Sequence, residues 1–276
     1  MFLVHNGQVL EKEKALVPIW DPALFADFRI YETLRVEEGK VVFLKDHLDR
    51  IFNSARIVGM ELGHSAKEIA DWINQCIKVN KTDSGIYRVI IHGDAEENKE
   101  SQVYIYPENF RQPTREEREK GIKVMTFEGE RIYPSAKTIS RLTQFRATRA
   151  FKEKGVYEAI LVSKDGTVHE GVRTNIFLVK DGKLITPSLA TVLPGIRRRY
   201  VIELAKKEGI AVEERQVRKE ELYQADEAFV TSTIMELAKI GWIDDYRLPP
   251  HCPFFEKLRE AFQKLKRKAL AKNENL

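Results

Sequence analysis

A chain of 276 residues is long enough for one large or two modest packed domains, and 43% apolar residues supply a core, which excludes a disordered or collagen-like polymer. The net charge of +4 is a small excess on a surface with 32% charged residues, so no basic stripe for nucleic acid is expected, while a small anionic ligand stays open. Two cysteines far apart, Cys76 and Cys252, make neither a disulfide framework nor a metal cluster, which predicts a reduced, cytoplasmic protein with no metal site. No stretch approaches about 18 uncharged apolar residues, and Met1 to Gly7 lacks a basic start before an apolar run, so neither a membrane span nor a secretory leader is expected.

In chain order, Val4 to Val9 reads as a short apolar segment turning at Asn6-Gly7, and Phe28 to Val36 alternates as a strand does before Glu38-Gly39. Leu44, Leu48, Ile51, Phe52 and Ala55 recur at three- and four-residue spacing, predicting a helix from Leu44 to Val58 that Gly59 ends. A second helix is expected from Ser65 to Val79, with Asn80 as its stop. Ile86 to Ile91 and Val103 to Tyr106 then read as a hairpin around the polar stretch His92 to Gln102. Asn109 to Lys120 holds Pro113, seven charged residues and almost nothing apolar, so it reads as a linker. The resulting division is residues 1–114, a linker at 115–121 and residues 122–276.

Beyond the linker, a strand near Ile122 to Phe127 and a helix from Ser140 to Lys154 are expected. Tyr157 to Val162, Val168 to Gly171, Asn175 to Val179 and Lys183 to Thr186 follow, punctuated by Asp165-Gly166 and Asp181-Gly182, pairs that favour tight hairpins; a mostly antiparallel sheet is expected. A helix from Ile196 to Lys207, strands at Glu227 to Thr231 and Ile240 to Ile243, and a last helix from Phe254 to Ala271 complete an α+β chain. Lys264, Lys266, Arg267 and Lys268 read as a solvated helix end.

Self-sufficient cofactor motifs, such as a phosphate loop, G-x-G-x-x-G, H-E-x-x-H or G-x-S-x-G, are absent. What remains is a set of residues where strands meet turns, each with an ordinary reading beside a functional one. Pro194-Gly195-Ile196-Arg197 is a common turn, or the start of a helix whose free N–H groups cradle a phosphate. Thr231-Ser232-Thr233 is an exposed turn or a cluster of hydroxyl donors at a strand end. Lys137, flanked by small and apolar residues, is a surface cation or a desolvated amine able to attack a carbonyl. Arg50 and Glu170 read singly as solvated charges.

In their order and spacing these pieces resemble the class IV, or fold type IV, pyridoxal-phosphate aminotransferases. The stretches that carry the resemblance are Tyr31-Glu32, His47-Leu48-Asp49-Arg50, Lys137, Tyr157 to Leu161, Glu170-Gly171 with Asn175, Leu193-Pro194-Gly195-Ile196, and Phe229 to Thr233. The resemblance implies a small α/β domain and a larger barrel-like α/β domain with pyridoxal 5'-phosphate between them, in a homodimer acting on amino acids and oxo acids. It implies that Lys137 forms the Schiff base and moves the substrate α-proton, and that Glu170 pairs with the pyridine nitrogen so that the ring stays an electron sink. It implies that Arg50, the Ile196-Arg197 backbone, Ser232 and Thr233 hold the phosphate. Arg197 stands where the family usually has threonine, so either backbone N–H groups suffice there or the guanidinium reaches the phosphate.

Within the family, Leu142 occupies the position where branched-chain enzymes usually carry a tyrosine. That difference, with Thr231-Ser232-Thr233, looks closer to the D-amino-acid aminotransferases. The usual D-enzyme carboxylate trap, Arg-x-His, is replaced by Asp94-Ala95-Glu96-Glu97-Asn98. A buried substrate carboxylate still needs a cation. Arg29, Arg88 and Lys239 are the candidates, with Tyr31 beside the substrate. The leading expectation is transamination between a D-amino acid and pyruvate or 2-oxoglutarate; the alternatives are an L-branched-chain aminotransferase and an aminodeoxychorismate lyase.

Overall fold

The opening strand β1 (Phe2–His5) turns back through Asn6-Gly7 into β2 (Gln8–Glu11), with both turn residues at the positive φ that a tight hairpin needs. The one-turn helix α1 (Pro22–Phe25) leads to β3 (Arg29–Glu37) and β4 (Lys40–Val41), then α2 (Leu44–Val58), α3 (Ala66–Val79), β5 (Gly85–His92) and β6 (Gln102–Pro107). In the computed structural model, which describes residues 1–93 and 101–271, these strands form an antiparallel sheet in the order β2-β1-β6-β5-β3-β4.

Strand alternation gives that sheet two unlike faces. Val4, Ile30, Leu34, Val89, Ile91, Val103 and Ile105 form a dry core with the apolar stripes of α2 and α3. The register Tyr31↔Ile90, Thr33↔Arg88 and Arg88↔Tyr106 puts Tyr31, Thr33, Arg88 and Tyr106 on the opposite face. The helices end where sequence chemistry says: Ser65 and Glu68 form a reciprocal capping box on α3, and Gly59 closes α2 at a φ of 71°.

The remaining elements are α4 (Arg115–Lys120), β7 (Ile122–Glu128), α5 (Leu142–Glu153), β8 (Glu158–Val162), β9 (Thr167–Gly171), β10 (Asn175–Lys180) and β11 (Lys183–Pro187). They are followed by α6 (Ile196–Lys207), β12 (Val212–Arg215), β13 (Val217–Arg218), α7 (Lys219–Gln224), β14 (Glu227–Ser232), β15 (Glu236–Ile243), β16 (Tyr246–Arg247) and α8 (Pro253–Ala271). The strands make a second sheet in the order β12-β11-β10-β14-β15-β7-β8-β9-β13, with β16 on β15. One face of it packs Val124, Ile160, Val168, Leu178, Val230 and Ile240 into a core.

Contacts divide the chain into two units: Met1–Phe110 with Ala136–Ser140 and the chain from Lys266 on, and Arg111–Ser135 with Arg141–Leu265. Lys137, expected within residues 122–276, therefore groups with the first unit. The stretch read as a linker folds in part as α4, capped reciprocally by Thr114 and Glu117; its charges pair along the helix, as in Arg115 with Glu119 and Lys120 with Glu116. The second sheet is less uniformly antiparallel than expected, because β7 runs parallel to β8 and to β15, and β11 runs parallel to β12. Lys266, expected to be solvated, is buried with its Nζ 3.0 Å from Glu37 Oε1. Among the described residues no helix is long and apolar enough to cross a membrane.

Candidate active site

Lys137 lies in the short segment 136–140, which runs beside β3. Its carbonyl accepts from Tyr31 N–H at 2.9 Å, its own N–H donates to the buried Ser54 hydroxyl of α2 at 3.1 Å, and Thr138 bridges Ile30. These bonds pin the backbone on both sides. The partly buried side chain places Nζ 4.6 Å from the centre of the Tyr31 ring, and the Arg88 guanidinium lies 4.8 Å from the same centre. One buried aromatic face system thus serves two cations, an arrangement its quadrupole favours.

Arg88 is itself fixed. Its Nε donates to Glu108 at 2.7 Å, its Nη1 donates to the Thr33 hydroxyl at 2.7 Å, and its plane also lies over Phe110. Arg29, on the same face of β3, donates from Nη2 to Asp27 at 2.5 Å and keeps a buried Nε with no hydrogen-bond partner among the described residues.

On the opposite face Glu32 is sealed from water. It accepts from Arg50 Nε at 2.6 Å, Arg50 Nη2 at 2.8 Å and His47 Nδ1 at 2.8 Å. Burial alone pushes a carboxyl up, but the Arg50 charge and the His47 hydrogen bond outweigh it and hold Glu32 far below its ordinary range. The His47-x-x-Arg50 spacing puts both donors on one side of α2, facing β3.

The second unit gathers a different set. Glu170, buried on β9, accepts from Arg131 Nε at 2.6 Å and from Leu193 N–H at 2.9 Å, with Asn175 Nδ2 at 3.4 Å. Asn175 also donates to the Leu193 carbonyl at 3.0 Å, tying β10 to the loop before α6. Gly195 caps α6 with no side-chain hydrogen bond, and a Cβ there would collide with Asn175 Oδ1, so only glycine lets the helix start this close. Ile196 and Arg197, in the first turn, are both buried. Thr231 stands across from Asn175 on β14, and its buried Oγ1 has no hydrogen-bond partner among the described residues.

Of the other expected residues, Ser232 uses its hydroxyl locally, accepting from Met235 N–H at 3.1 Å, and Thr233 is half-buried in the same turn. Lys239 instead lines a cavity of about 150 Å³ with Trp242, Arg247 and Cys252, whose walls include none of Thr231, Ser232 and Thr233. Leu142 is 73% exposed at the start of α5. The segment Asp94 to Asn98, where the Arg-x-His pair is missing, lies outside the described residues. Two residues escaped sequence reasoning as site candidates, Arg131 and Glu108. Both acquire meaning only from partners distant in sequence, Arg131 from Glu170 and Glu108 from Arg88, while Thr231 was already marked as the first hydroxyl of its cluster.

The Amino-transferase class IV family model matches residues 29–243. The chain is 28% identical to a D-alanine aminotransferase from Bacillus licheniformis over 92% of both chains. It is 27% identical to a branched-chain-amino-acid aminotransferase from Pseudomonas aeruginosa over 94% of this chain and 90% of the other. The crystal structure of the branched-chain aminotransferase from Thermoproteus uzoniensis with norvaline superposes with a TM-score of 0.88 at 27% identity, covering 99% of this chain and 96% of that one. The chain belongs to the class IV aminotransferases, which use pyridoxal 5'-phosphate.

Proposed function

We propose that the protein transfers the amino group of a D-amino acid to pyruvate or 2-oxoglutarate, with Lys137 as the reacting amine. The observation that carries this reading is the shared Tyr31 ring, which puts a fixed guanidinium, Arg88, on the same ring as the lysine. A substrate carboxylate drawn to the Tyr31, Arg88 and Arg29 face of the first sheet would meet guanidinium groups there in place of the Arg-x-His pair of the D-amino-acid enzymes.

The residues fit the cofactor. Thr231 keeps an unused buried hydroxyl on the strand beside Asn175, and α6 begins without a side-chain cap, which suits a doubly charged phosphate. The family resemblance gives Ser232 and Thr233, at the turn beyond Thr231, and Arg50 the same phosphate role; the fork of Arg50 is held in one orientation by Glu32. Pyridoxal 5'-phosphate supplies an aldehyde carbon and an electron-withdrawing ring. Glu170, kept in place by Arg131 and Leu193 N–H, would offer the carboxylate that keeps the ring nitrogen protonated. Lys137 Nζ takes the α-proton of the donor and returns a proton when the acceptor is aminated; the Tyr31 ring limits where that nitrogen can move.

In this reading a second copy of the chain completes the assembly. Leu16, Ile19, Trp20 and Phe25 of the first unit are each at least 80% exposed, an apolar surface that a homodimer covers. A donor panel resolved by chirality tests the substrate assignment, with turnover of D-alanine or D-glutamate expected. Activity toward L-leucine with none toward either D-amino acid ends the D reading and favours an L-branched-chain enzyme, which the structural likeness to the Thermoproteus uzoniensis protein supports. Lys137→Ala is expected to abolish both the yellow chromophore and turnover.

A further inference from the structure

Arg88 already holds a carboxylate. Glu108 Oε2 sits 2.7 Å from Arg88 Nε, the contact a substrate carboxylate would make, and the two side chains differ in how firmly they are held. Arg88 is 11% exposed, bonded to Thr33 and laid over Tyr31 and Phe110. Glu108 is 33% exposed and follows the last residue of β6. Its backbone is fixed, because its N–H donates to the Ile86 carbonyl at 2.8 Å; no other hydrogen bond to its carboxylate is seen among the described residues. A rigid guanidinium with a half-exposed carboxylate on a fixed stem is a binding position with a removable occupant.

We infer that Glu108 is the resident counter-ion of Arg88, that the carboxylate of an amino or oxo acid displaces it on binding, and that Glu108 therefore sets how weakly the site takes its substrates. The inference rests on the reading that Arg88 receives the substrate carboxylate. In the resting protein the pair keeps a half-buried guanidinium from standing unpaired. On binding, one charge-assisted contact is exchanged for another, so the substrate gains only the difference. The free Glu108 carboxylate, left beside the incoming ligand, also repels a second carboxylate, which favours monocarboxylic substrates over dicarboxylic ones.

The test uses the cofactor-loaded enzyme and propionate, a carboxylate with no amine, read by competitive inhibition and by the shift of the bound chromophore. Glu108→Gln is expected to tighten propionate binding about fivefold and to lower the donor KM by a similar factor, the equilibrium weight of a partly exposed ion pair. The gain for a dicarboxylic acceptor should exceed that for pyruvate. Should Glu108→Gln fail to take up cofactor, Glu108→Asp, which withdraws the carboxylate by one methylene, carries the same expectation at smaller size. Propionate binding that is unchanged or weaker in a cofactor-loaded variant overturns the inference. Arg88→Met separates the two levels: if it weakens propionate binding while Glu108→Gln does not tighten it, only the role of Glu108 falls. If Arg88→Met leaves propionate binding unchanged, the assignment of Arg88 falls with it.

Discussion

Glu32 in the first unit and Glu158 in the second are both shut away from water, yet they behave oppositely. Glu32 meets a two-pronged guanidinium and an imidazole N–H, all between 2.6 and 2.8 Å, and is held far below the ordinary carboxyl range. Glu158 accepts the Ala159 N–H at 3.0 Å and has the Arg173 guanidinium only at 3.5 Å, so burial wins and its carboxyl is pushed up. Equal burial therefore goes with carboxyl shifts of opposite direction, and the number and alignment of donors decides between them. Carboxylates meet cations in both units, Glu32 with Arg50 and Glu108 with Arg88 in the first and Glu170 with Arg131 in the second, while Thr231 buries a hydroxyl with no hydrogen-bond partner among the described residues.

Removing the well-paired carboxylate should have the largest effect. Glu32→Gln leaves the Arg50 charge buried against a neutral amide and is expected to cost about 3 kcal/mol in denaturant unfolding, with cofactor affinity falling as well. A loss below about 1 kcal/mol would show that the pair only breaks even. The pH dependence sharpens the contrast. Because the folded form of Glu32 holds its carboxyl low, its contribution is complete above the ordinary carboxyl range and is lost as pH falls toward the folded value. Glu158 has the reverse sign: its folded form binds the proton more tightly, so its contribution falls as pH rises from the ordinary to the elevated value. Comparing the pH profiles of unfolding for Glu32→Gln and Glu158→Gln separates the two.

The unpaired hydroxyl comes next in size. Thr231→Val keeps the shape and removes the buried oxygen, so the melting temperature should hold or rise while cofactor affinity drops about tenfold, the weight of one hydrogen bond to a charged group. Reconstitution of the apoenzyme measures this; unchanged affinity with a lower melting temperature would assign the hydroxyl to the fold instead. The smallest effect belongs to Glu158→Gln, expected within about 1 kcal/mol at neutral pH, because the poorly aligned Arg173 is a quarter exposed and can be hydrated.

Local signals in the chain were strong. The apolar stripe of α2, the Ser65 cap of α3 and the Asp-Gly turns act between neighbours, so a window of a few residues carries them. Thr114 and Glu117 are a signal of the same local kind, and they show how a charged stretch can also be helical: a reciprocal cap and pairs four residues apart stabilise a short helix that carries no apolar face. Strand direction was less legible, because alternation marks a strand and its faces but says nothing about its neighbour, and the parallel pairing of β7 with β8 depends on the intervening α5.

The candidate site residues divide along the same line. Lys137, Glu170, Arg50 and the Gly195 turn each had an ordinary reading when taken singly, and only their order and spacing together, through the family resemblance, marked them as site candidates. Their partners were not legible. Arg131 meets Glu170 across 39 residues of chain, Arg88 finds Glu108 across 20 and Thr33 across 55, and Lys137 settles over Tyr31 through bonds to β3 and α2. Chain order and residue chemistry by themselves determined the helices, the turns and the kinds of group available. Only folding decided which charge faces which, since a guanidinium becomes a scaffold, a counter-ion or a ligand grip according to the carboxylate that three-dimensional packing sets beside it.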